Sequence, residues 1–99
     1  MTERLDPKDP GEKILVSISF ADALKSGESV VSASPVTVFA SGDQNANATL
    51  GAASTLNGPI VVQYFIGGVR GLDYKLTTFA DTNSTPQRRL KGEVIVPVR

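Results

Sequence analysis

The sequence predicts an all-β protein, an immunoglobulin-like antiparallel β-sandwich of about seven strands with at most one short helical turn. Three observations predict it. Short runs that alternate apolar and polar residues recur, separated by turn signals about every 8–12 residues. Helical propensity is confined to Ala21-Asp22-Ala23-Leu24-Lys25, about one turn before Ser26-Gly27 stops it. A glycine-rich turn, Gly67-Gly68-Val69-Arg70-Gly71, joins the most apolar run to a strand that carries Tyr74 two residues after Leu72. That placement is expected of a hairpin, and also of the tyrosine corner that ties one sheet of such a sandwich to the next. A small, partly open barrel is the main structural alternative.

Taken in order, residues 1–11 are polar, with Pro7, Pro10 and Gly11, and offer no face to bury. They are expected to form a flexible N-terminal arm, with residues 12–99 as a single β-sandwich domain. From Lys13 the period becomes two: Ile14, Val16, Ile18 and Phe20 face one way and Lys13, Ser17 and Ser19 the other, with Leu15 left to meet a partner or the sheet edge. Residues 28–33 supply a second strand. Pro35 marks a boundary before Val36-Thr37-Val38-Phe39-Ala40. Residues 41–47 are a turn cluster, and residues 48–57 hold one or two weak strands. Residues 59–66 are the apolar run, with Ile60, Val62, Tyr64 and Ile66 on one face. After the glycine turn, Leu72, Tyr74 and Leu76 share a face opposite Asp73, Lys75 and Thr77. A loop at residues 81–87 leads to a last strand in which Val94, Val96 and Val98 alternate with Glu93, Ile95 and Pro97, and Pro97 is expected to mark an edge.

Composition narrows the function. The chain has 99 residues, 40% hydrophobic and 20% charged, and its ten basic and ten acidic residues cancel. Such a balance gives no basis for a nucleic-acid or membrane footprint. The absence of cysteine excludes disulfides and thiolate metal sites, and the absence of histidine removes the usual general base and the commonest zinc ligand. The first residues lack the apolar core of a signal peptide, and no apolar run approaches the roughly 20 residues of a membrane span.

The motifs that could carry chemistry read as structure. Gly67-Gly68-Val69-Arg70-Gly71 is followed by strand alternation, whereas a phosphate-cradling loop opens a helix. Asp22, Glu28, Asp43, Asp73, Asp81 and Glu93 are scattered over different elements and are expected to be solvated carboxylates. Arg88-Arg89-Leu90-Lys91 is expected to be a charged strand edge, with an acidic protein partner as the alternative. Asn47-Ala48-Thr49 and Asn83-Ser84-Thr85 match glycosylation sequons but mark polar loops. Tyr74 is expected to face the core with its hydroxyl bonded to backbone. No catalytic, cofactor-binding or metal residue is assigned, and the chain is expected not to be an enzyme and to need no cofactor.

Asp6-Pro7-Lys8-Asp9-Pro10-Gly11-Glu12 leading into Ile14-Leu15-Val16-Ser17-Ile18-Ser19, with Phe20, Gly27-Glu28 and Val30-Val31 after it, resembles a family of small tailed-phage proteins. The turn and strand at residues 67–78 and the basic-then-valine strand at residues 88–98 extend the resemblance. Members are described as fiber-tail adaptor or head–tail connector proteins, immunoglobulin-like domains of the virion. Two departures stand out: Val36 and Phe39 lie where the family places a Trp, and Thr85-Pro86-Gln87-Arg88-Arg89 replaces Thr-x-x-Gly-Arg. The resemblance implies a structural virion protein, made in the host cytoplasm and built into the tail or neck. It would dock phage tail, neck or fiber proteins, and copies of itself in the assembled virion. It carries over no catalytic residue. A carbohydrate- or surface-binding β-sandwich is the alternative; its aromatic platform would have to come from Phe39, Tyr64, Phe65 and Phe79, most of which are expected in the core.

Overall fold

The computed structural model describes residues 2–99, so Met1 of the expected arm lies outside it. Its strands are β1 (Thr2–Arg4), β2 (Lys13–Ser19), β3 (Val30–Ala33), β4 (Thr37–Phe39), β5 (Thr55–Asn57), β6 (Ile60–Ile66), β7 (Asp73–Thr82) and β8 (Arg89–Pro97). One sheet has the order β2-β6-β5; the other runs β1-β8-β7-β3, with β4 also on β7. β1 joins β8 in parallel and the remaining strand pairs are antiparallel. The two sheets share no ladder, so the chain is a sandwich and not the barrel alternative.

Alternation chooses what each sheet buries. Val16, Ile18, Phe20, Val61 and Phe65 meet Tyr74, Leu76, Val94, Val96 and Val98 across the interior. The Phe65 and Tyr74 rings pack edge to face with centroids 5.4 Å apart. Such a ring pair adds about 0.5–1.5 kcal/mol beyond the area it buries.

Pro35 breaks what would be one strand. β3 pairs with residues 80–82 of β7 and β4 with residues 75–77, so the two lie end to end along the same edge. Hydroxyl groups span the break. The Ser34 Oγ accepts from the Phe79 amide at 3.0 Å, and the buried Thr78 hydroxyl donates to the Ser34 carbonyl at 2.8 Å.

The structure corrects several expectations. Gly67-Gly68-Val69-Arg70-Gly71 does not close a hairpin, because β6 pairs with β2 and β5 while β7 pairs with β8, β3 and β4. The turn instead carries the chain across the roughly 10 Å between sheets. Gly67, Gly68 and Gly71 all have positive φ there, which residues with a Cβ resist. In β6 the buried face is Val61, Gln63 and Phe65, not the face holding Ile60, Val62 and Tyr64. Register with β2 decides this, since Val16 and Ile18 lie opposite Gln63 and Val61. Gln63 tolerates burial because its amide donates to the Ala52 and Tyr64 carbonyls at 2.8 and 2.9 Å. A second 3₁₀ turn, Ala46–Thr49, joins the expected one at Ala21–Ala23. The small residues Ala46, Ala48 and Thr49 allow that tight winding, and the Thr49 hydroxyl donates to the Ala46 carbonyl at 2.6 Å.

The leader also has more to bury than its composition implies. Thr2–Arg4 lines up on β8, Leu5 packs against the core, and Lys8 is only 2% exposed. Pro97 is therefore covered, not at an edge: the Lys8 amide donates to the Pro97 carbonyl at 2.8 Å. A strand residue points its N–H and C=O to the same side, and the leader asks Pro97 only for an acceptor.

Gly92 sets the spacing of the two sheets. A Cβ at this position would lie 2.6 Å from Ile18 Cγ2 and 2.8 Å from Phe20 Cζ. Gly92→Ala should therefore destabilise the fold by about 1–3 kcal/mol by overpacking, read as a lower midpoint in urea unfolding.

Candidate functional site

The glycine turn is held by Tyr74. Its hydroxyl accepts from the Val69 amide at 2.8 Å and donates to Asp43 Oδ2 at 2.5 Å. Burial first, and then the Asp43 carboxylate, push the phenol pKa up. The turn's other groups are engaged as well. Gly71 N–H donates to the Val98 carbonyl at 2.8 Å, and the Gly67 carbonyl accepts from Lys8 Nζ at 2.7 Å. These amides and carbonyls meet protein partners, which fits a brace between segments and not an anion cradle. Tyr74→Phe leaves the Val69 amide and Asp43 short of a partner, so it should cost about 1–3 kcal/mol, measurable as a fall in urea midpoint.

Asp22 and Asp73 are exposed, as expected of solvated carboxylates, and Asp43, Asp81 and Glu93 are half-buried; Glu28 departs furthest from that expectation. Glu28 has a side chain only 3% exposed and is gripped by both Nε and a terminal nitrogen of Arg88, which also donates to the Ala23 carbonyl at 3.0 Å. Arg88 thus points inward from the basic run and ties the loop after the first 3₁₀ turn to the start of β8. Its guanidinium holds the Glu28 carboxyl well below the usual carboxylate range. A depressed pKa means that this contribution is complete above the unfolded glutamate's pKa and is lost as pH falls through the folded value. The stability gap between the natural chain and Glu28→Gln should be widest at neutral pH and should shrink in acid, which urea unfolding at a series of pH values would show.

Five further ion pairs lie on one outer face. Asp73 receives Arg99 at 2.9 Å and Arg4 at 3.2 Å, Asp81 receives Arg89 at 3.1 Å, and Glu93 lies between Lys75 and Lys91. All of these belong to the sheet built on β7 and β8 or to the segments beside it.

The opposite outer face, on β2-β6-β5, is different. Leu15 (53% exposed) stands opposite Tyr64 (41%), with Ser17 opposite Val62 and Ser19 opposite Ile60. Lys13 is the charge on this face, and its ammonium lies 4.6 Å from the centre of the Tyr64 ring. Leu15, one residue out of pattern in the sequence, is the signal that marked this face. Most of Phe39, Tyr64, Phe65 and Phe79 were expected in the core; Phe65 is buried there, and the other three are exposed.

The sheet edges differ as well. β1 and β5 are three residues each, and the β3–β4 edge is interrupted by Pro35. β2 is seven residues long, pairs only with β6 among the described residues, and shows no register break. Short strands, proline and charge are how proteins blunt an edge, and β2 carries only Lys13 in that role. Beyond the opposite edge of the sandwich, a groove of about 370 Å³ is lined by small uncharged residues, among them Ala33, Pro35, Val36 and Ala52, with Gln63 beside them. Among the described residues, no cluster of acidic side chains is suited to a metal ion, and no helix is long and apolar enough to cross a membrane.

No curated protein and no solved structure matches the chain. Residues 8–97 match the family described as podophage GP4 fiber-tail adaptor protein gp77. That span takes in every strand but β1, the Tyr74 brace, the Glu28–Arg88 pair and both outer faces. The chain belongs to the podophage fiber-tail adaptor family and is a structural protein of the phage tail.

Proposed function

We propose that this chain is an immunoglobulin-like adaptor that joins tail and fiber proteins in the virion by direct protein–protein docking, without catalysis. The strand order supports the immunoglobulin reading. β2-β6-β5 and β3/β4-β7-β8 follow the sequence of strands B-E-D and C-F-G, and Tyr74 sits near the start of the F-like strand with its hydroxyl on upstream backbone.

The observation that carries the docking reading is the open β2 edge beside an almost uncharged face. An exposed strand edge offers a row of backbone donors and acceptors to an incoming strand, and neighbouring apolar side chains add specificity. Leu15, Val62 and Tyr64 flank that edge in the same way that the core of an interface is poor in charge and enriched in aromatic residues. With many adaptors in one assembly, modest single contacts add to a firm joint. The residue 1–11 leader serves in this reading as an arm.

The sugar-binding alternative needs open aromatic platforms. Arg89 lies 5.6 Å from the Phe79 ring centre and Lys13 covers Tyr64, so two of the three exposed rings already hold cations. That arrangement favours the adaptor.

Leu15→Glu should leave the circular dichroism spectrum unchanged and weaken co-purification with tail and fiber proteins by about tenfold or more, the scale of a lost interface anchor. Unchanged capture by Leu15→Glu, with loss on Lys91→Glu, would move the docking site to the charged face.

A further inference from the structure

We infer that the leader is an exchangeable strand: residues 2–8 of one copy fill the slot on β8 of a second copy of this chain. The slot belongs wholly to the body of the fold. It consists of the outer edge of β8 at Glu93, Val94 and Ile95, the Pro97 carbonyl, the Gly67 carbonyl and the Asp73 carboxylate. The Phe65 ring closes its floor, 5.4 Å from Lys8 Nζ.

The leader fits this slot as a ligand with a strand and a peg. Leu5 N–H donates to the Ile95 carbonyl at 2.9 Å, and Arg99 N–H donates to the Lys8 carbonyl at 2.9 Å. Arg4 reaches Asp73, and four residues later the Lys8 ammonium passes inward to Gly67 and to its own neighbour, the Asp9 carbonyl, at 2.8 Å. The spacing of Arg4, Leu5 and Lys8 is what the slot reads, and it is a property of this chain. A second copy therefore satisfies each bond as well as the resident leader does, which is the condition for strand exchange.

The leader is held by its β8 pairing, Leu5 and Lys8, a smaller set of contacts than the sheets make with each other. Leu5 and Lys8 are its inward-facing side chains from Arg4 onward, and the Arg4–Asp73 pair is about half exposed on both sides. The exposed pair contributes little, and a local unit held by this few contacts opens before the sandwich as a whole unfolds. Opening costs the β8 edge, the Gly67 carbonyl and Lys8 their partners together, and a neighbour's leader restores all three.

The hinge is Asp9-Pro10-Gly11-Glu12. It is closed by Glu12 N–H to the Asp9 carbonyl at 3.0 Å, Gly11 N–H to Asp9 Oδ1 at 2.8 Å and Asp9 N–H to Glu12 Oε1 at 2.8 Å. All but Pro10 are exposed, so water replaces these bonds when the hinge straightens. Pro10 biases Asp9 toward the extended backbone that a straightened hinge requires.

The cysteine-free sequence permits a direct test. Arg4 and Ile95 are register partners, so Arg4→Cys and Ile95→Cys chains, tagged to differ in size, are mixed and gently oxidised. Both substitutions lie outside the core, and circular dichroism confirms the folded state before mixing. Exchange gives a mixed disulfide dimer in excess of either homodimer, with a share that rises with protein concentration. Adding Lys8→Ala to the Arg4→Cys chain lowers that share severalfold. A mixed dimer no more abundant than the homodimers, with the double variant Arg4→Cys/Ile95→Cys closing only within one chain at every concentration, overturns the inference. Neither result depends on tail or fiber proteins, so the test is separate from that of the docking face.

Discussion

The Tyr74 hydroxyl is the point on which the rest of the structure depends. A phenol buried at the meeting of two sheets must find partners for its hydrogen and its oxygen or lose the full cost of desolvation. Here the oxygen takes the Val69 amide and the hydrogen goes to Asp43, so the turn between β6 and β7 and the turn before the second 3₁₀ segment are fixed to the same ring. Gly68 lets them close. A Cβ there would lie 2.9 Å from Val98 Cγ2 and 3.4 Å from the Tyr74 ring. Through Gly71 the same turn holds the end of the chain, and through Gly67 it receives Lys8 from the beginning. One side chain thus gathers segments separated by most of the sequence.

That brace leaves the two outer faces free to differ. The five-stranded side carries its charges in pairs, with Asp73, Asp81 and Glu93 each matched to at least one arginine or lysine. Exposed pairs of this kind contribute little to stability, but they keep a surface well hydrated. The three-stranded side has Leu15, Val62 and Tyr64 where the other has ion pairs. A net charge of zero therefore conceals an uneven distribution, and it is the distribution that bears on partner choice.

Much of the fold was legible because period-two alternation is a local signal. Val16, Ile18, Tyr74, Leu76, Val94 and Val96 read correctly as inward-facing from their neighbours alone. Tyr74 was legible for the same reason, since its position after Leu72 and a glycine turn is a local pattern. What local patterns cannot say is which strand pairs with which. The hairpin reading of β6 and β7 failed because both orders of pairing leave the same residues apolar. The buried face of β6 was set by its register on β2, and Gln63 became an interior residue through carbonyls that only the folded chain brings to it. Glu28 and Arg88 are separated in sequence by five strands, so nothing in either neighbourhood announces their pairing. Lys8 is the clearest case. A lysine in a proline-rich leader reads as solvent-exposed, and its burial follows from the Gly67 carbonyl and the Phe65 ring, both brought from distant segments, together with its neighbour's carbonyl at Asp9.

The two long edges of the sandwich then acquire different meanings. β8 is closed by a strand that is part of the same chain, and closed with a buried lysine, so a foreign strand must displace a fitted one to pair there. β2 has no such cover. A sandwich with one guarded edge and one open edge has a direction: under the docking proposed above, β2 is the edge available to a partner strand while the leader covers β8. In an adaptor that docks by strand pairing, as proposed above, that asymmetry would keep two unlike components from competing for one edge. The leader settles which edge is which, and its two inward side chains, Leu5 and Lys8, are the residues through which it does so.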